Sequence, residues 1–249
     1  MTVKYEPISV EYVTHSGNDM LVVNAARQSF AKQKNPNQPL SQGDIGLLNY
    51  LARGMSSSDY DQMINELVGN LSAHEVENAL VQYRKTPTHW APFAHPHITV
   101  RASAPVPIRT QCFKHKIGLT ESEESRRYIT STPSFYMPLI RESAENVKQG
   151  SAGTHPLNDY YQDVTGQHYE RSVALYEEML RGNVCPEQAR MVLPQGMIVN
   201  WTWTGSLYAF ANFYIQRSDS HAQEEVRQVA EQIDEIIRPL FPHSWEALV

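Results

Sequence analysis

Cysteine is almost absent from this sequence, with Cys112 and Cys185 the only two among 249 residues. Two thiols are too few for a disulfide framework, and such scarcity is typical of proteins from a reducing compartment. Residues 1–17 contain no apolar segment of the kind that directs secretion, and no hydrophobic run reaches the length of a membrane span. We therefore expect a cytoplasmic protein without a membrane partner.

Glycine-rich phosphate-binding loops are also missing, because neither GxGxxG after a strand nor GxxxxGK[ST] occurs in the sequence. Any bound nucleotide would then be held by side chains and helix ends. Basic charge is scarce as well: Lys and Arg total 21 against 27 Asp and Glu, a formal net charge of −6. This excess of acidic residues argues against a protein that binds nucleic-acid polymers, which usually has a basic surface. A local basic cluster in such a chain indicates a small anion, such as a nucleotide phosphate.

Apolar residues, by contrast, make up 41% of the chain, which is enough for a sizeable core. Their spacing predicts strands and helices in alternation. Strands are predicted near 7–17, 97–101 and 196–205, and helices over 45–54, 66–85, 168–182, 186–193, 206–217 and from 220 onward. Gly182 should end one helix, and Ser220 with Gln223 should form a capping box for the last. Without a convincing linker, we expect one mixed α/β (α+β) domain over residues 1–249, with a central sheet flanked by helices.

Charge is densest in the segment 111–130, QCFKHKIGLTESEESRRYIT. Lys114, His115 and Lys116 are consecutive, and Arg126 and Arg127 follow a run of glutamates. The residue types allow two interpretations. The segment is either a solvated loop with local ion pairs, or a site where cations hold a phosphate through charge-assisted hydrogen bonds.

Three other groups of side chains have alternative roles. His89, His95 and His97 fall within nine residues, but no Cys or close carboxylate completes a tetrahedral set, so we expect hydrogen-bonded or pocket-lining histidines and no metal. Cys185, at a predicted helix start, is either a nucleophile with a lowered pKa or a small buried hydrophobe. Arg217 ends an apolar helix and either caps its dipole or points into a pocket.

In this order, the segments resemble the flavin-dependent thymidylate synthase family. The family's Arg-His-Arg, then Ser and Asn-Glu-x-Ser-x-Arg-Tyr-Ser, is similar to residues 114–130, with lysine in place of both arginines. HWAPFAH resembles His-x-x-Pro-Phe-x-His, and AARQSF resembles Arg-Val-Ser-Phe. EQARMVLP and FYIQRSDSHAQEE resemble the family's Ala-Arg-x-x-Leu-Pro and Leu-Arg-x-x-x-x-Ala-Gln segments. The resemblance covers about residues 25–245.

The resemblance implies a homotetramer with active sites shared between subunits, which makes dTMP by reductive methylation of dUMP. FAD, NADPH and methylenetetrahydrofolate are the implied cofactors, and no cysteine nucleophile takes part. The residues implied to contact the flavin are Lys114, His115, Lys116, His89 and Asn212, with Ser29 and Ser206 as weaker candidates. Those implied to hold dUMP are Gln111, Glu123, Ser125, Arg127, Arg190 and Arg217. Within this set the implied catalytic residues are Arg217, Glu123 and Ser125, with Arg217 favouring charge that develops on the pyrimidine ring.

Several departures from the family pattern leave other activities open. Lysine at 114 and 116 lacks the planar fork of arginine. Ser122 replaces Asn, one extra residue lies between the two halves of the motif, and Ala94 replaces a family glutamate. The alternatives are a divergent methylase or hydroxymethylase acting on dUMP or dCMP, and a nucleotide-binding protein without turnover.

Overall fold

The computed structural model describes residues 3–55, 62–65, 72, 88–145 and 150–249. The helix predicted over 66–85 lies outside these residues, apart from position 72. The mixed α/β class predicted from sequence is confirmed. No helix in the described part of the chain is long and apolar enough to cross a membrane.

Helices and strands alternate along the chain. The strands are β1 (Lys4–Tyr5), β2 (Ser9–Ser16), β3 (His97–Pro105), β4 (Leu119–Glu123), β5 (Ser134–Phe135), β6 (Arg141–Ser143), β7 (Ser151–Thr154) and β8 (Ile198–Ser206). The α-helices are α1 (Asp19–Arg27), α2 (Gln42–Arg53), α3 (Val106–Cys112), α4 (Asn158–Arg181), α5 (Pro186–Ala189), α6 (Leu207–Arg217), α7 (Glu224–Ile237) and α8 (Pro242–Leu248). Short 3-10 turns cover Gln28–Phe30, Ala91–Ala94 and Arg190–Val192.

The main sheet has four strands in the order β2-β3-β8-β4. Side chains alternate along β3, so that Ile98 and Val100 are fully buried while Arg101 on the opposite face is exposed. Two small pairs complete the strands: β1 runs parallel to β5, and β6 is antiparallel to β7. In the main sheet, the central strands β3 and β8 thus alternate between buried and more exposed side chains.

The Cα positions divide into two compact units. The first comprises Met1–Val13, Thr99–Thr204 and Phe213–Asp234, and the second comprises Thr14–Ile98, Gly205–Asn212 and Glu235–Val249. A single domain over residues 1–249 stays a prediction.

The first unit is built around aromatic packing. The Phe135 and Tyr169 rings stack with centroids 4.5 Å apart, and the edge of Trp203 meets Phe213 at 4.9 Å. Helix α7 adds a buried stripe that includes Val226. This packing fixes the elements that carry the charged segment.

Two details of the helix ends differ from the sequence predictions, and one agrees with them. The helix predicted from 168 begins earlier, at Asn158, in a stretch with no buried residue and hence no apolar signal. The helix ends at Arg181 with Gly182 as its C-cap, as predicted, although Gly182 has an ordinary φ of −75° and Asn183 takes the left-handed conformation at φ 62°. The capping box is wrong, because Ser220 lies in a turn and α7 begins only at Glu224.

The second unit contains a buried carboxylate network. Asp44, fully buried on α2, receives hydrogen bonds from Arg27 at 2.7 Å and from Lys34 at 2.7 and 2.9 Å. Ser41 and Asp44 also cap each other at the start of α2. Although burial opposes its charge, hydrogen bonds from Lys34 and Ser41 hold the pKa of Asp44 well below its ordinary value. This carboxylate therefore ties the segment around Lys34 to α2.

Asp44→Ala should lower the free energy of unfolding by about 2–4 kcal/mol, since two half-buried cations lose their counter-charge and α2 loses its cap. Denaturant titration measures the loss, with Glu231→Ala on the exposed face of α7 as a control expected to change stability by less than about 0.5 kcal/mol. The Asp44 contribution is complete above its ordinary pKa of 3.8 and is lost as the pH falls toward the lowered folded pKa. A loss at pH 7 no larger than the control's would contradict this role.

Candidate active site

Helix α3 positions two cavities in the first unit. Its buried residues Ile108 and Cys112, one turn apart, fix the helix against the core. Residues two apart on a helix point in directions about 200° apart, so Arg109 and Gln111 face different sides. Gln111 lines cavity A, of about 690 Å³, together with Arg141, Ser151, Arg217, Gln223 and Arg227. Arg109 lines cavity B, of about 330 Å³, together with Glu123, Ser125, Arg126, Arg127 and Arg190.

Cavity B collects four arginines and two carboxylates, Glu123 and Glu124. Arg109 Nε lies 2.9 Å from Glu123 Oε2. Burial raises the pKa of the Glu123 carboxyl above its ordinary value, against the opposing effect of the Arg109 and Arg190 guanidinium groups. Ser125 Oγ accepts weak hydrogen bonds from Arg127, 3.3 Å from its backbone nitrogen and 3.4 Å from its Nε. The structure thus brings together four of the residues predicted to bind substrate.

Cavity A contains the other two predicted substrate residues, Gln111 and Arg217. Arg217 Nε donates to His115 Nε2 at 2.9 Å, and its Nη2 donates to the Gln111 carbonyl at 3.5 Å. Since Nε2 accepts, the neutral His115 ring carries its proton on Nδ1. Burial lowers the pKa of His115, and the Arg217 charge lowers it further. His115 therefore orients the Arg217 guanidinium without adding a second charge beside it.

A polar chain connects Gln111 to the strand pair at the other wall of cavity A. Gln111 donates to Gln223 at 2.6 Å, and Gln223 donates to Glu225 at 2.9 Å. Glu225 is paired with Arg141 at 2.8 Å, and Arg141 also donates to Ser151 at 2.7 Å. Burial opposes the Glu225 charge, but hydrogen bonds from Arg141 and Gln223 outweigh it and lower the pKa. Gln111 thus belongs to a fixed network.

The two lysines of the Lys-His-Lys segment have different surroundings. Lys116 pairs with Glu121 and lies 5.3 Å from the centre of the Phe113 ring. Lys114 is exposed, and only its backbone N–H has a contact among those described, to Gln111 at 3.3 Å. Lys114 is therefore available to an external anion, whereas Lys116 would have to leave Glu121.

The remaining predicted flavin residues belong to the second unit. Ser29 and His89 line cavity C, of about 650 Å³, which has aromatic walls that include Tyr50 and Trp90. His89 stacks on Tyr50 with ring centroids 5.8 Å apart. Cavity C therefore suits a flat aromatic ligand.

Two other predicted flavin residues lie on α6 or at its start. Asn212 is half-buried on the helix. Ser206 is only 6% exposed, and its Oγ accepts from the Ala209 N–H at 3.2 Å, so it caps α6. Ser206 has a structural role in this conformation.

The cysteines have no chemical partner at these cavities. Burial raises the pKa of the Cys112 thiol to about 12. Cys185 is exposed before Pro186 at the start of α5 and lines neither cavity A nor cavity B. Within the described ranges, no group of three His, Cys, Asp or Glu side chains could hold a metal ion.

Comparison with known proteins identifies the family. Residues 11–243 match the family described as Thymidylate synthase complementing protein. The chain belongs to the flavin-dependent thymidylate synthase family. The resemblance read from the sequence motifs is therefore confirmed.

Relatives in this family align over most of the chain. A flavin-dependent thymidylate synthase of Thermosipho africanus is 32% identical over 70% of this chain and 78% of its own. That of Thermotoga neapolitana is 29% identical over 96% of this chain and 90% of its own. Among solved structures, the UMP/dUMP methylase PolB from Streptomyces cacaoi, bound with 5-Br dUMP, has a TM-score of 0.76 and 26% identity, and covers 99% of this chain and 96% of its own.

Three arginines of this flavin-dependent synthase family member were missed by sequence reasoning: Arg109, Arg141 and Arg227. Each lines a cavity in the structure. Arg109 was detectable, because it lies two residues before Gln111 in a helix that the motif occupies. Arg141 and Arg227 lie outside every motif, and only tertiary structure brings them to cavity A.

His115→Phe should make stability less dependent on pH. Because the folded state lowers the pKa of His115, the wild type loses stability as the pH falls below the ordinary value of 6.5. The phenylalanine variant lacks this loss, so the difference in unfolding free energy between wild type and variant should shrink from pH 8 to pH 5. Exposed His221, changed to Phe, is the control. A difference that stays constant with pH would contradict the lowered pKa that burial and the Arg217 charge give His115.

Proposed function

We propose that the protein is an FAD-dependent methyltransferase that converts dUMP to dTMP with NADPH and methylenetetrahydrofolate. Family membership and the likeness to a methylase bound with 5-Br dUMP support the reaction class. The observation that carries the proposal is cavity B, where Arg127 and Arg190 face a half-buried Glu123 beside Ser125. Two guanidinium groups suit a phosphate, and a carboxylate and a hydroxyl suit the neutral sugar or base.

The predicted substrate residues are divided between cavity A and cavity B, and this division supports a site shared between subunits. Gln111 and Arg217 line cavity A, whereas Glu123 and Arg190 line cavity B on the other side of α3, and the two cavities have no lining residue in common. One nucleotide that contacts both sets would therefore need cavity A of one protomer next to cavity B of another. A homotetramer with shared sites meets this requirement, and we propose that assembly.

The side chains in the structure fit a flavin. In the first unit, Lys114 offers an exposed cation that suits a diphosphate. In the second unit, cavity C offers aromatic walls that suit a ring, with His89 and Ser29 among its lining residues. Asn212, His115, Lys116 and Ser206 complete the proposed flavin set. The flavin, when bound, supplies the reducing equivalents for the methyl group.

Arg217 has the role of stabilising charge on the pyrimidine. Its guanidinium is half-buried and held by His115, so it is oriented before the substrate arrives. A fixed cation in a partly dry cavity stabilises developing negative charge better than mobile water does. Since Cys112 is buried with a pKa near 12, electrostatic activation replaces a thiol nucleophile in this proposal.

The ribonucleotide UMP is a second candidate substrate, because the similar solved structure is described as a UMP/dUMP methylase. A single-turnover assay with NADPH-reduced enzyme, methylenetetrahydrofolate and dUMP, UMP or dCMP tests the choice by product mass. We expect dUMP to gain CH₂, which marks a methyl group. A gain of CH₂O would show a hydroxymethylase, product from dCMP alone would show another pyrimidine preference, and binding without product would show a protein without turnover.

Arg217→Ala should lower kcat by about 10²–10³-fold, since a preorganised stabilising group is lost. The free energy of unfolding should fall by no more than about 1 kcal/mol, because the side chain is half-buried and its two neutral acceptors, on His115 and Gln111, can accept from water instead. Steady-state kinetics and denaturant titration measure the two effects. Equal losses of activity and stability would show that Arg217 only caps α6.

A further inference from the structure

Arg109 reaches the Glu123 carboxylate from α3, although no family motif read from the sequence includes it. Arg109 Nε and Glu123 Oε2 are 2.9 Å apart, and the two side chains are 24% and 27% exposed. The Arg109 Nε–H is buried and has no aligned acceptor in the described structure, so the contact is an ion pair and not a directed hydrogen bond. A pair this shielded interacts more strongly than an exposed surface pair.

Glu123 cannot hold a phosphate, because an ionised carboxylate repels it. Beside a nucleotide, it has to accept a hydrogen bond from a neutral donor, either a sugar hydroxyl or a pyrimidine N–H. An ionised carboxylate offers acceptors only, whereas a protonated one also presents a donor. The interaction is therefore strongest while Glu123 remains ionised in its partly buried cavity.

The other charged groups of cavity B have different contacts. Glu124 accepts from Asn200 at 2.9 Å, and Arg126 donates to the Ser131 carbonyl. Arg127 contacts Ser125, whereas Arg190 acts on Glu123 only through its charge. In the described residues, Arg109 is thus the cation in direct contact with Glu123. Burial already raises the pKa of Glu123, so losing Arg109 would raise it further.

We propose that Arg109 is a positioning residue that holds the Glu123 carboxylate as an ionised acceptor in cavity B, where a nucleotide sugar or base donates to it. This inference rests on the proposed function. Arg109 acts through Glu123 and does not bind the phosphate, which Arg127 and Arg190 bind.

The dissociation constant of dUMP, measured by calorimetry on FAD-loaded enzyme from pH 8.5 to pH 5, tests the proposal. The dissociation constant of Arg109→Gln divided by that of wild type should rise as the pH falls. The rise should be up to about 10-fold for each unit by which the variant raises the Glu123 pKa. The titration of the dUMP phosphate cancels in this ratio. Arg126→Gln removes an equal charge from the same cavity without touching Glu123, so its ratio should stay constant with pH.

A second set of variants separates positioning from structure. In a Glu123→Gln background, Arg109→Gln should change dUMP affinity by the same factor at every pH. For Arg109→Lys, which keeps the positive charge, the ratio of dissociation constants to wild type should again be independent of pH. If Arg109→Gln does not fold, Arg109→Met, which places an unbranched apolar side chain beside the Phe113 ring that the guanidinium covers, replaces it. The proposal would be overturned if the ratio of dissociation constants for Arg109→Gln or Arg109→Met did not change with pH and equalled that for Arg126→Gln.

Carboxyl titration by NMR on the ligand-free protein, with Glu123→Gln for assignment, distinguishes the two levels of inference. A higher Glu123 pKa in Arg109→Gln would support the pairing of Arg109 with Glu123, whether or not a pyrimidine nucleotide binds. Failure to bind any pyrimidine nucleotide would reject the proposed function. An unchanged Glu123 pKa in a protein that binds dUMP would reject the role of Arg109 alone.

Discussion

The candidate site depends on the way α3 is fixed in the core. Ile108 and Cys112 are buried on one side of a helix of two turns, so the helix cannot rotate without exposing them. Arg109 is then directed to cavity B and Gln111 to cavity A. A rotation of α3 would change both cavities together. The apolar anchor thus determines where the charges lie.

The cations of the first unit are held by different kinds of partner, and this difference determines what each can do. Arg217 contacts a neutral imidazole and a carbonyl, so its charge stays available to a ligand. Arg141 is paired with Glu224 and Glu225, so its charge is largely compensated and its role is to fix α7 to β6. The same residue type therefore keeps an uncompensated charge in one place and has its charge largely compensated in another.

The motifs could be recognised in the sequence, but the placement of their residues in two separate cavities could not. The order of the motifs was enough to identify the family, since each carries residue types that a nucleotide and a flavin require. The separation of Gln111 and Arg217 from Glu123 and Arg190 follows from the rotation along α3, which spacing in a motif does not show. Likewise, the exposed first turns of α4 left no apolar pattern to read, and the cap of α6 by Ser206 depended on where β8 ends.

Cys112 behaves in this structure as a small apolar side chain. Oxidants and alkylating reagents react with thiolates, and a thiol with a pKa near 12 supplies almost none at neutral pH. Peroxide and maleimides should therefore leave Cys112, and with it the helix that carries the site, unmodified. Exposed Cys185 remains as the position for a spectroscopic label, which would report on the molecule without disturbing cavity A or cavity B.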